Sequence, residues 1–174
     1  LDPAFLKNAE RTVVLWGDSY AAQLYSGLAD AQHEIGFRLA TFAATACPPL
    51  MGLSVASRPF CRDLNEATAR AVAKLKPAVV LLGGNWSWYA GDKLIDLSGP
   101  VPELDRTIQT LRSAGIDRIV LIGPLPQWGE GGLPSAMRKY FFRYGELPDR
   151  THYALANFKQ VQRLDQQLQT SAAA

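Results

Sequence analysis

Histidine and cysteine are scarce in this chain: two of each among 174 residues, His33, His152, Cys47 and Cys61. Metal sites need more ligands at tighter spacing, so no metal is expected. Charge of neither sign dominates, with 18 basic against 16 acidic residues and a net charge of +2. That balance leaves no basic stripe of the kind that grips nucleic acid, and none is expected as a partner. The basic excess of residues 138–174 reads as a solvated helix face. No run approaches the ~18 uninterrupted apolar residues of a bilayer span. The longest, Pro77 to Leu82, is of strand length. A basic segment followed by an apolar one, the mark of a signal peptide, is missing. So are G-x-G-x-x-G and Walker-type loops, which disfavours a nucleotide binder, and no cofactor is implied.

What is present is an ordinary globular composition, 48% hydrophobic and 20% charged, in a length that suits one domain over residues 1–174. The ends, Leu1 and Thr170 to Ala174, read as those of a piece of a longer protein. Four near-continuous apolar runs, Thr12–Trp16, Arg38–Phe42, Ala78–Leu82 and Arg118–Ile122, predict parallel strands covered on both faces. Helical spacing predicts amphipathic helices between them. Leu24, Leu28 and Ile35 define the first face, Leu64, Ala67, Ala71 and Leu75 the second, and Leu104, Ile108 and Leu111 the third. Gly36 and Gly115 stand where two of these helices stop. Strand and helix in alternation predict an α/β, doubly wound, mostly parallel sheet. Ligands in such sheets bind at the carboxyl ends of the strands, so the loops that follow the strands carry the function.

Three of those loops hold chemistry. Gly17-Asp18-Ser19 joins the first strand directly to a helix. A serine there can attack an ester carbonyl, its own backbone N–H helping to hold the oxyanion, or it can simply cap a helix. Gly83-Gly84-Asn85 follows the third strand, and an Asn amide there can donate to an oxyanion or support a turn. Cys47 and Cys61 bracket a stretch holding Pro48, Pro49, Gly52 and Pro59. A disulfide is the better reading, and it implies an oxidising compartment; two separate buried thiols are the alternative.

Together these residues resemble the SGNH hydrolase superfamily. Gly17-Asp18-Ser19 matches its first motif and Gly83-Gly84-Asn85 the G-x-N of its third, with Trp86 where an Asp is usual. The second-motif Gly donor has no clear counterpart, leaving the Thr45 or Ala46 N–H. The run Val14 to Leu24, with Tyr20 where His is common, then Cys47-Pro48-Pro49-Leu50, Cys61, Trp86 to Tyr89 and Ile122 to Pro126, is similar to one subgroup. That subgroup is the extracytoplasmic SGNH domain fused behind the membrane domain of type-3 acyltransferases. The resemblance implies a flavodoxin-like sheet of order 2-1-3-4. It also implies O-acyl transfer, usually of acetyl, to lipopolysaccharide or exopolysaccharide, or ester hydrolysis on them, through a serine acyl-enzyme. Ser19 would be the nucleophile, with Asn85 and Gly84 beside it. A glycan would be the acceptor, and an N-terminal membrane acyltransferase domain would deliver the acyl donor on the periplasmic or extracytoplasmic side of the inner membrane.

The family's closing Asp-x-x-His follows a fifth strand. Asp149 and His152 match it in spacing, but no apolar strand precedes them, and Leu155, Phe158, Val161 and Leu168 after them mark a helix. The chain is therefore expected to lack its last strand and block, and to be inactive alone. Trp86, Trp88, Tyr89 and Trp128 in the strand-end loops are expected to bind a sugar, their faces stacking and their polar edges hydrogen-bonding. A non-catalytic glycan-binding module of the same fold is the competing reading, and a generic doubly wound ligand-binding domain a third.

Overall fold

The structure, a computed structural model, describes residues 11–91, 94, 101–125, 132–147 and 158–173. Its sheet is built from β1 (Thr12–Gly17), β2 (Arg38–Ala43), β3 (Val79–Gly83) and β4 (Ile119–Leu121). All pairings are parallel, in the order β2-β1-β3-β4. The expected doubly wound α/β architecture is therefore the observed one. Among the described residues the sheet ends at β4, three residues long where the sequence predicts five.

Register decides which face holds the core. Val14 and Trp16 pair with Ala40 and Phe42 on one side and with Val80 and Leu82 on the other. This face packs against α3 (Cys61–Leu75), α5 (Pro102–Ser113) and α7 (Phe158–Ala173). Leu104, Ile108 and Leu111 of α5 and Val161 and Leu168 of α7 are buried as their spacing predicts, and Leu164 is buried with them. Each such side chain contributes roughly 1.5–3 kcal/mol. The other face is covered by α1 (Ser19–Ala22) and α2 (Tyr25–Ile35).

Two helical faces differ from expectation. In α3 the buried residues are Cys61, Asn65, Thr68, Ala69, Val72 and Leu75, while Leu64 is 38% exposed. The disulfide at Cys61 and the Asn65 hydrogen bonds described below hold this rotation. In the first helical segment the chain breaks at Gln23–Leu24, and α2 buries none of its residues, with Ile35 75% exposed. Gly36 ends α2 in the left-handed region at φ 79°, as expected of a helix-stopping glycine. The aromatic run Tyr140 to Tyr144, too short to count as a strand, closes a helix, α6 (Gly132–Tyr144). Residues 92–100 aside from Leu94 lie outside the described set, and α4 (Trp86–Gly91) precedes them.

Cys47 and Cys61 form a disulfide, their Cα atoms 5.3 Å apart. The enclosed loop is also tied to the core from within. Asn65 Nδ2 donates to the Pro48 and Leu50 carbonyls at 2.8 and 3.3 Å, and its Oδ1 accepts from Trp16 Nε1 at 3.1 Å. Thr107 Oγ1 accepts from the Met51 N–H at 2.8 Å. Closing a loop of this length stabilises by about 3 kcal/mol in the chain-entropy picture. Reduction is expected to remove that amount, read as a lower urea midpoint in dithiothreitol. Identical midpoints with and without reductant would show that the Asn65 and Thr107 bonds alone hold the loop.

Candidate active site

β1 and β3 meet backbone to backbone at their carboxyl ends. Gly17 and Gly83 are register partners, and a Cβ on Gly17 would lie 1.9 Å from the Gly83 carbonyl oxygen. No side chain fits there, so glycine sets how closely the two following loops approach. Ser19 and Asn85 each stand two residues beyond this pair, at the same end of neighbouring strands.

Asp18 joins the two loops. Its side chain is buried, and its backbone is extended before α1. Oδ1 accepts from the Tyr20 and Ala21 N–H groups at 2.8 and 3.4 Å, which fixes the turn carrying Ser19. Oδ2 reaches 67 residues along the chain to accept the Asn85 N–H at 2.9 Å, and it also accepts the Tyr89 hydroxyl at 2.5 Å. A buried carboxylate is tolerated only when so compensated, and hydrogen bonds to a charged group are the stronger kind. Ser19, by contrast, is exposed.

Asn85 opens α4. Its Oδ1 accepts from the Trp88 N–H at 3.3 Å, and its carbonyl accepts from the Trp88 and Tyr89 N–H groups. With Oδ1 turned to the helix, what the amide can offer a ligand is donation from Nδ2. Gly84 is buried; a Cβ there would sit in ordinary contact with Asp18 Oδ2, at 3.5 Å, and Tyr89. Its place is beneath the Asp18 carboxylate.

The loop after β2 joins the same end of the sheet through the Ala44 N–H, which donates to the Gly17 carbonyl at 3.1 Å. Within it Ala46 adopts φ 57°, a left-handed conformation costly for any residue with a Cβ. This is the loop whose glycine has no counterpart in the sequence. The disulfide at the next residue, Cys47, anchors the strained position. A cavity of about 210 Å³ between β2 and α3 includes Gly17 and Ala44 in its lining.

The rings divide. Trp86 and Tyr89 are fully buried, and each gives its polar atom to the protein: Trp86 Nε1 to the Ile122 carbonyl at 2.7 Å, Tyr89 to Asp18. The expectation that both stack on sugar therefore does not hold in this structure, because their faces complete the core and brace the strand-end loops. Trp88 is 37% exposed. Trp128, Asp149 and His152 lie outside the described residues. Burial, then the hydrogen bond to Asp18, then the charge of Asp18 push the Tyr89 hydroxyl well above its ordinary pKa, so it remains a donor. Sequence reasoning placed Asp18 in the motif without a role, since its partners come from a distant loop. Asn65 was detectable as the one amide on a helix whose inner side is otherwise small or apolar.

The family model described as the SGNH domain (fused to AT3 domains) matches residues 2–174. The chain belongs to that family. In fold, this SGNH domain is similar to a solved structure, the lipopolysaccharide acetyltransferase periplasmic domain of Salmonella ser. Paratyphi A. The TM-score is 0.74 at 22% identity, over 97% of this chain and 66% of that one. The SGNH domain thus spans just under two-thirds of that chain's length. A search of curated proteins finds no match. Among the described residues no helix is long and apolar enough to cross a membrane.

Proposed function

We propose that this domain transfers an O-acyl group, acetyl in the first instance, to a bacterial surface polysaccharide, or hydrolyses such an ester, through an acyl-enzyme on Ser19. The observation that carries the reading is the Asp18 carboxylate. It fixes the turn bearing Ser19 and the backbone of Asn85 at once, so nucleophile and amide donor share one buried anchor. In the reaction Ser19 Oγ attacks the acyl carbonyl and yields its proton to a base, while Asn85 Nδ2 and the Ser19 N–H hold the oxyanion. The tetrahedral adduct collapses to the Ser19 ester, releasing the donor. A glycan hydroxyl or water then attacks that ester and restores Ser19.

Asp18 is not that base, because its oxygens already accept from four donors. Among the described residues the one histidine, His33, is exposed in the last turn of α2. Asp-x-x-His spacing occurs twice in the chain, at Asp30 and His33 on α2 and at Asp149 and His152. An extracytoplasmic location fits the disulfide, and it fits the periplasmic origin of the structural neighbour. A membrane acyltransferase domain as donor of the acyl group fits the fused arrangement in the family's description.

A fluorophosphonate ester followed by peptide mapping tests the reading on the domain itself. An oxyanion hole accelerates attack even where the base is lacking. Ser19 is therefore expected to be modified well before the exposed Ser26 and Ser113. Equal rates at all three serines would remove the enzyme and leave a glycan-binding module built around Trp88.

A further inference from the structure

Among the described residues the most exposed aromatic ring is on α6 (Gly132–Tyr144), beside two further exposed rings. Phe142 is 85% exposed, Tyr144 56% and Phe141 48%. Helical spacing places Arg138 three and four residues before the two phenylalanines, on the same outward side, with Lys139 along its border and Arg143, seven residues after Ala136, on the other side of the helix. Ala136, on the opposite side, is the buried residue of this helix. The 13 residues carry three cations and no acid; the nearest acidic residues in sequence, Glu130 and Glu146, fall outside them. Arg143 lies over the Tyr144 ring, 5.5 Å from its centroid.

We infer that α6 is an interfacial helix that seats the domain on an anionic lipid surface. Charge complementarity selects this occupant: a helix with three cations and no carboxylate has nothing to offer a basic partner and repels a second copy of itself. The aromatic content selects it again, because phenylalanine beside tyrosine and arginine suits a boundary where apolar chains meet charged headgroups. Length fixes the mode. At ~1.5 Å per residue the helix is ~20 Å long, too short to span a bilayer, so it lies in the interface plane. The inference is independent of the chemistry at Ser19.

Sedimentation of the 174-residue chain with vesicles tests it. Binding is expected to vesicles of phosphatidylethanolamine with phosphatidylglycerol, and only weakly to phosphatidylcholine alone. Each cation near an anionic surface is worth about a fivefold change in affinity. Replacing Arg138 and Lys139 together by glutamine should therefore weaken binding about 25-fold at low salt, and much less at high salt. Phe142→Ser is expected to weaken it about tenfold at any salt. These side chains point outward, so unchanged thermal unfolding certifies the fold of each variant. No vesicle binding, equal binding to both lipid compositions, or binding indifferent to Phe142→Ser would overturn the inference. A lipid-free dimer abolished by Phe142→Ser would overturn it too, assigning the face to a second copy.

Discussion

Ser19→Ala is expected to abolish polysaccharide O-acylation in cells that carry the protein, and Asn85→Asp to reduce it severely. A hydroxyl that forms the covalent intermediate has no substitute; removing the nucleophile of an assembled serine site costs on the order of 10⁶-fold. Losing one oxyanion donor costs about 100- to 1000-fold. Aspartate is the informative replacement at Asn85. It keeps an Oδ1 for the Trp88 N–H while deleting the Nδ2 donor and placing a charge where the oxyanion would form. Asn85→Asp should therefore lower the rate sharply. Measurement of polysaccharide O-acetyl content in those cells reads both effects. Acylation undiminished in Ser19→Ala would end the acyl-enzyme reading of this cleft.

Asp18→Ala is expected to cost about 3–5 kcal/mol of stability, the largest loss at any single site side chain. It strands the Tyr89 hydroxyl and the Asn85 N–H with their acceptor gone, at roughly 1–3 kcal/mol for each buried group, and it uncaps α1 besides. Tyr89→Phe deletes one donor only and should cost about 1–2 kcal/mol. The two changes share one bond, so the double variant should be less destabilised than the sum. Urea unfolding of the four proteins measures the coupling; strict additivity would deny that the bond matters. Tyr89 also gives an alkaline signature. Its folded pKa is raised, so its stabilising contribution is fully present below the unfolded value near 10 and is lost as pH rises beyond it. The unfolded chain then loses a proton that the folded chain keeps. Tyr89→Phe should remove this part of the alkaline fall in stability.

Local pattern in the sequence determined the elements and the site's address. Apolar runs of strand length separated by helical periods leave little but a parallel sheet, whose loop-bearing ends are fixed by chain direction. Gly17-Asp18-Ser19 and Gly83-Gly84-Asn85 were therefore legible as facing candidates before any coordinates. The family, too, was legible in those motifs together with Cys47-Pro48-Pro49 and Cys61. Tertiary structure alone decided what the neighbouring residues do. Trp86, Trp88 and Tyr89 are one aromatic cluster in sequence, yet two are core and one is surface, because the rotation of α4 turns Trp86 toward Ile122 and Tyr89 toward Asp18. The inward side of α3 was misplaced for a related reason: Cys61 and Asn65, not the leucines, hold its orientation through bonds to a loop up to 17 residues away. Asp18 shows the limit most clearly. A carboxylate's role depends on which donors surround it, and those donors come from the loop after β3, which parallel pairing brings alongside from 67 residues away. Periodicity encodes which side of an element is apolar; only the packed chain determines which polar groups meet in the space between elements.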